Sequence, residues 1–251
     1  MPSSPASSSS PIPLAARCLG CGREFETEQV VLLGQTFAAE RYCGMCRATE
    51  QVNAEEQKVN ARWRRVMVPS AYADCSFANF ERVSGTATAL GVCEQWAKEY
   101  RAGTQLRQGL LLRGLPGAGK THLAVAILRQ VVWSDWHRSA LFINVPQWLN
   151  ELRASFGDGE PPPNPSGYDI VVLDDLGAED WQPWARDRIY SLINQREQER
   201  LLTIVTTNCE WSELAGRVGG PTASRLRRLT REVHVDARQD FREVLVERNT
   251  T

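Results

Sequence analysis

Lysine is nearly absent. Lys58, Lys98 and Lys120 are the only three, so 26 of the 29 cations in this 251-residue chain are arginine. A GC-rich genome accounts for that bias better than selection for nucleic acid does. An excess of one charge is missing too: 29 cations stand against 30 carboxylates, for a net charge of −1. This excludes a chain that coats polyanions with its whole surface, and leaves room for local basic patches. No apolar run approaches the roughly 20 residues that cross a bilayer, so no membrane partner is expected. Met1 to Pro13 lacks both the basic start and the apolar stretch of a secretory leader. The expected location is therefore cytoplasmic. In that reducing compartment the seven cysteines point to metal ligation ahead of disulfides.

What is present reads as organised in pieces. The serine- and proline-rich residues 1–16 bury too little apolar surface to order themselves and are expected to be a disordered tail. Residues 17–47 hold four cysteines in two pairs. Residues 48–66 contain no glycine or proline and read as a polar helix stopped by Pro69, a linker over 48–69. Ala73 to Phe80 is aromatic and irregular, and Thr86 to Tyr100 is helical. From 109 onward, apolar strands (109–112, 140–145, 168–174, 202–206) alternate with helices (120–132, 146–156, 185–199). That alternation predicts an α/β fold: a parallel sheet buried on both faces by helices.

Gly114-Leu115-Pro116-Gly117-Ala118-Gly119-Lys120-Thr121 fits the phosphate-loop pattern G-x-x-x-x-G-K-[ST]. Its glycines let backbone N–H groups turn inward onto a phosphate, and the following helix adds its positive end. Lys120 then reaches the β- and γ-phosphates of ATP, and the Thr121 hydroxyl ligates Mg²⁺. With His122, these residues make the expected nucleotide site.

The strand from Asp169 ends in Asp174-Asp175. Asp174 is placed to hold Mg²⁺ through water, and Asp175 to orient or deprotonate the attacking water. Aspartate is one methylene shorter than the glutamate common there, so slow hydrolysis is expected. The alternative is a pair of turn aspartates capping the next element. Asn208 ends the next strand at the same edge, where its amide would hold water or the γ-phosphate; a helix N-cap asks for the same residue type. Arg217, Arg225, Arg227, Arg228 and Arg231 lie in a stretch without acids. They form either a solvated basic face or the source of an arginine finger for a neighbouring subunit.

Cys18-x-x-Cys21 and Cys43-x-x-Cys46 stand 21 residues apart. Two such knuckles aim four thiolates at one tetrahedral Zn²⁺, with a hairpin between them: a zinc ribbon whose folding energy comes from the metal. Redox disulfides and unligated thiols are the other readings. Cys75, Cys93 and Cys209 are isolated and read as core residues.

The segments Gly119-Lys-Thr-His-Leu-Ala124, Val145-Pro-Gln-Trp-Leu149, Leu173-Asp-Asp-Leu-Gly-Ala-Glu179, Thr206-Thr-Asn208 and Ser224-Arg-Leu226 occur in this order. Together, over about residues 70–251, they resemble an AAA+ ATPase, and more closely the DnaC/DnaI-type replicative helicase loaders. The resemblance implies an ATPase acting at subunit interfaces of an ATP-dependent oligomer. Its partners would be single-stranded DNA and the replicative helicase. It makes Asn208 the sensor-1 residue and Arg225 the trans-acting finger. It also places helix 146–156 where the family's insertion contacts single-stranded DNA, and gives the N-terminal zinc module a role in engaging the helicase. A full helical lid is not expected after Arg225, and Arg238 and Arg242 are unsupported as lid arginines. An IstB-type transposase helper shares the ATPase core, and an ATP-switched adaptor with negligible turnover is a third reading.

Overall fold

The computed structural model describes residues 13–19, 21–32, 35–38, 40, 42–82, 84–134, 138–157, 159–179 and 181–237. The chain divides into two compact units, Met1–Asn60 and Ala61–Thr251.

In the first unit, β1 (Pro13–Arg17), β2 (Glu24–Leu32) and β3 (Gln35–Ala38) form an antiparallel sheet in the order β1-β2-β3. The β2–β3 pair is the hairpin expected between the cysteine knuckles. The tail expected to run to residue 16 is corrected, because Pro13 to Arg17 pair in register with Glu28 to Glu24. Backbone pairing orders a segment whose side chains gave no strand signal. Residues 1–12 lie outside the described residues.

Helix α1 spans Gly44–Arg65, starting four residues earlier than expected. The boundary drawn at residue 69 also moves. Val66 is buried in the core of the second unit, and its carbonyl accepts from Phe142 N–H at 2.7 Å. The last turn expected of the linker thus belongs to the α/β unit.

The second unit is built on five parallel strands in the order β5-β6-β7-β4-β8: β5 (Ala140–Asn144), β6 (Ile170–Asp174), β7 (Leu202–Thr207), β4 (Gly109–Arg113) and β8 (Thr230–His234). Alternate side chains point to opposite faces. Leu110 and Leu112 therefore join one core with α2 (Ala87–Arg101) and α3 (Lys120–Ser134). Leu111 joins the other core with α4 (Val145–Ala154), α5 (Pro183–Gln198), α6 (Trp211–Val218) and α7 (Gly220–Leu229). Burial on both faces is why β4 and β6 read as unbroken apolar runs.

β8 and α7 were not expected, and α6 only as the helix that Asn208 would cap; Glu210 holds that N-cap position instead. The strand order brings the carboxyl ends of β4, β7 and β6 side by side, and ligands of open α/β sheets bind at that edge.

Candidate nucleotide site

The phosphate loop leaves β4 and enters α3. Gly117 and Gly119 have φ of +72° and +91°. A Cβ on Gly119 would also stand 2.7 Å from the Phe80 ring, so this position requires glycine for both reasons. Lys120 is buried, and its Nζ donates to the carbonyls of Gly114 and Leu115 at 2.9 and 2.7 Å. The loop's own carbonyls hold the ammonium at the position where phosphate oxygens would compete for it.

Across the edge, Thr121 Oγ1 donates to Asp174 Oδ1 at 2.8 Å, and Thr206 Oγ1 donates to the same oxygen at 2.7 Å. Burial pushes the Asp174 carboxyl up; the hydroxyls of Thr206 and Thr121 and the Asn144 side chain pull it back, while neighbouring Asp175 pushes it further up. A buried carboxylate facing a threonine hydroxyl, two acids deep, is a donor set that suits a hard divalent cation such as Mg²⁺.

Asp175 has a φ of +56°, uncommon for a residue with a side chain. Its N–H donates to Thr206 Oγ1 at 2.9 Å. Thr206 therefore orients both aspartates.

A cavity of about 390 Å³ opens over this edge. Pro116 through His122, Asp175 and Asn208 line it, as do Tyr72, Cys75 and Phe80. Gly114 and Leu115 serve it through Lys120, and Asp174 lies beneath it. Arg225 does not line it. A larger cleft of about 870 Å³ surrounds Arg107, Arg138, Asp169 and Arg200, near the amino ends of β6 and β7. It has no phosphate loop, so the smaller cavity is the better nucleotide site.

Three contributors escaped the sequence reading. The irregular segment 72–80 is a wall of the cavity. Its Ser76 carbonyl meets His122 Nε2 at 2.9 Å, and Asn79 Oδ1 accepts from Ser76 N–H and Oγ, both at 2.8 Å. Burial holds the His122 imidazole below its usual range, against that carbonyl contact. Asn144 caps α4 by accepting from Gln147 N–H at 3.2 Å while also touching Asp174. Its place at a strand end, just before Val145-Pro146, was the available signal. Thr206 was quoted only as part of a motif.

The arginine stretch separates residue by residue. Arg225, on α7, donates from Nε to Asn194 Oδ1 at 2.9 Å, lies 3.3 Å from Glu197 and stacks over Tyr190. Arg228 pairs with Glu197, and Arg227 lies over Trp211. Arg217 bonds the Gly177 carbonyl. Arg238 and Arg242 lie outside the described residues.

In the first unit, the thiols of Cys18, Cys21, Cys43 and Cys46 all lie within 4.8 Å of one another. Cys21 and Cys43 are 3.8 Å apart, close to the edge of a tetrahedron with metal–sulfur bonds of about 2.3 Å. Cys43 N–H also points at Cys18 Sγ, at 3.3 Å. Hydrogen bonds that the Cys46 S–H donates to the other three sulfurs, Cys21 first, push Cys46 up to about 12. Four soft donors at these spacings fit Zn²⁺, which would supply the charge that lets them ionise together.

The replicative helicase loader DnaC of Escherichia coli K12 is 23% identical over 176 residues, covering 68% of this chain and 70% of that protein. A protein of insertion sequence IS1162 from Pseudomonas fluorescens, assigned as ATP-binding, is 33% identical over 119 residues, 46% of this chain and 49% of its own length. The crystal structure of the DnaC helicase loader superposes with a TM-score of 0.59 at 23% identity, over 67% of this chain and all of that one, a likeness of fold. The profile of the IstB-like ATP binding proteins matches residues 35–239, from the small sheet through the phosphate loop and past α7, and the chain belongs to that family.

Proposed function

We propose that this chain is an ATP-dependent loader of a replicative helicase. It hydrolyses ATP at subunit interfaces of an oligomer that also holds single-stranded DNA. One observation carries the reading: the phosphate loop, Asp175 and Asn208 line a single cavity, and Asp174 accepts from Thr121 of that loop.

Lys120 leaves its loop carbonyls and neutralises the β- and γ-phosphates. Thr121 and Asp174 hold Mg²⁺, which supplies charge to the phosphates when bound. Asp175 orients the water for in-line attack, and Asn208 holds the γ-phosphate side. Arg225 serves the site of a neighbouring protomer. Cys18, Cys21, Cys43 and Cys46 hold a structural Zn²⁺ in the helicase-engaging module.

A DNA surface is supported by Phe156. It is 58% exposed, packs edge-on to Trp184 at 5.6 Å and has Arg188 over its ring. Exposed Arg153 lies one turn away. An aromatic platform with cations around it suits stacked single-stranded bases.

The family match and the IS1162 relative favour a second reading, a transposase helper with the same ATPase cycle. The test mixes the full chain with the replicative helicase, or with an insertion-sequence transposase, of its own host. ATP and single-stranded DNA are present, and complexes are resolved by size. The loader reading expects an ATP-dependent complex with the helicase. A complex with the transposase alone overturns it.

A further inference from the structure

Arg217 and Glu179 are assigned to neither the phosphates nor the magnesium site, yet they hold the two successive peptide groups that flank Gly177, two residues after Asp175. The segment after β6 turns sharply. Asp175 has a φ of +56° and Gly177 one of +104°, and Ala178 N–H donates back to the Asp175 carbonyl at 3.1 Å. Asp175 in that left-handed conformation carries a backbone cost that its surroundings must offset.

β7 contributes to one side. Thr206 Oγ1 takes the Asp175 N–H, and the Thr206 carbonyl takes the Leu176 N–H at 2.9 Å. The Gly177 peptide groups are held on the other side. Glu179 Oε2 accepts from Gly177 N–H at 3.0 Å, and an Nη of Arg217, reaching from α6, donates to the Gly177 carbonyl. Space around Gly177 is closed: a Cβ there would meet Cys209 Sγ at 2.8 Å and Leu214 of α6 at 3.3 Å. The turn therefore has no room to relax toward α6 while this grip holds. Arg217 also makes a half-exposed ion pair through its other Nη with Glu213, one helical turn away, at 2.6 Å, a contact the Gly177 bond does not need.

We propose that Arg217 and Glu179 are positioning residues that clamp the two peptide groups flanking Gly177 and thereby set the direction of the Asp175 carboxylate for hydrolysis. The inference rests on the ATPase reading. The clamp also ties α6, which packs on α7, to the loop that follows β6.

The test compares the full chain with Arg217→Ala, Arg217→Lys and Glu213→Ala. Binding of a fluorescent ATP analogue, steady-state turnover and hydrogen exchange at the amides of 175–178 are measured. Arg217→Ala is expected to leave the analogue's Kd within about twofold, to speed exchange at 175–178, and to lower kcat roughly 10- to 100-fold, the scale of a small misplacement of a reacting group. Lysine, which offers one donor to the same carbonyl, should recover part of kcat. Glu213→Ala removes the ion pair within α6 but leaves the Gly177 bond, and should keep turnover.

Unchanged exchange at 175–178 in Arg217→Ala overturns the clamp whatever the turnover. So does faster exchange with undiminished kcat, or an equal loss of kcat in Glu213→Ala, which would trace the effect to helix stability. A parent chain that binds the analogue but shows no turnover sinks the ATPase reading, and this role with it.

Discussion

Among the described residues Arg196 is the largest fully buried side chain, and none of their carboxylates bonds it. Its guanidinium instead donates to Thr203 Oγ1 and to the carbonyls of Pro165, Tyr168 and Leu202, at 2.7–2.9 Å. Burial lowers its pKa to about 10, so it stays charged at neutral pH. The group fastens the amino ends of β6 and β7 to α5. Arg196→Leu would strand several buried acceptors, each costing about 1–3 kcal/mol. We expect a loss of at least ~3 kcal/mol in urea unfolding with the slope unchanged; a loss under about 1 kcal/mol would mean water replaces the guanidinium. Glu179 gives the opposite case, a carboxyl pushed up to about 7 by burial. The unfolded chain ionises it near 4.5, so stability tied to this group is full below that pH and declines as pH rises toward 7. Glu179→Gln removes the titration. The stability of the variant relative to the parent should therefore rise between pH 5 and pH 8, and a flat difference would refute the assignment. Glu179 was visible in the sequence only as the end of the Leu173–Glu179 segment, and Arg196 not at all: an arginine on a polar helix looks solvated until the fold buries it.

Elements with strong periodicity were legible. Leu110 to Leu112, Ile170 to Leu173 and the helix from Lys120 carry enough apolar side chains to announce a sheet and its cover, whereas the strand order, with β7 between β4 and β6, was not legible. β8 escaped because only Thr230 and Val233 of its five residues are buried, which leaves no run and no alternation. α7 escaped because Gly219, Gly220 and Pro221 mark a turn; here Gly219, with a φ of +87°, ends α6 and the proline occupies the first turn of the next helix. β1 offers no β-branched residue and is held by its ladder with β2. The cysteine knuckles were legible for another reason, since metal spacing needs no core. That independence has a consequence for the first unit. Cys18→Ser should abolish zinc content of one ion per chain and unfold the small sheet, because metal binding is folding energy for so small a module. The α/β unit has its own two cores and should keep its thermal transition. Metal analysis together with calorimetry checks both halves. Retained zinc, or loss of the second unit's transition, would contradict the separation.

At the scale of the assembly, the question is what Arg225 reaches. Within its own protomer it holds Asn194 and Glu197 and lies over Tyr190, on the face of α7 that packs against α5. It takes no part in the cavity holding Asp175 and Asn208. Its side chain is 22% exposed, and a partly exposed pair with Glu197 is worth about 1 kcal/mol or less. Ordering by a neighbour's γ-phosphate can therefore outbid the intramolecular contacts, since a planar guanidinium donates two parallel bonds to phosphate oxygens. Arg225→Ala should bind ATP as the parent does and fold with little loss. Its turnover should fall by about 10³-fold, the lower end for arginine fingers in related phosphate chemistry, since the shorter Asp175 is expected to slow hydrolysis by itself. Lysine at 225 should not restore turnover, lacking the fork. Lys120→Ala should fail in the other way, by losing the nucleotide. Mixing the two inactive variants separates the roles. A mixed oligomer contains interfaces at which an intact phosphate loop faces an intact Arg225, so part of the turnover should return, with a maximum near equal proportions. If mixed oligomers form, as shown by differently tagged chains eluting together, and no proportion restores hydrolysis, then Arg225 works inside its own protomer, where its bonds to Asn194 and Glu197 make it a strut between α5 and α7.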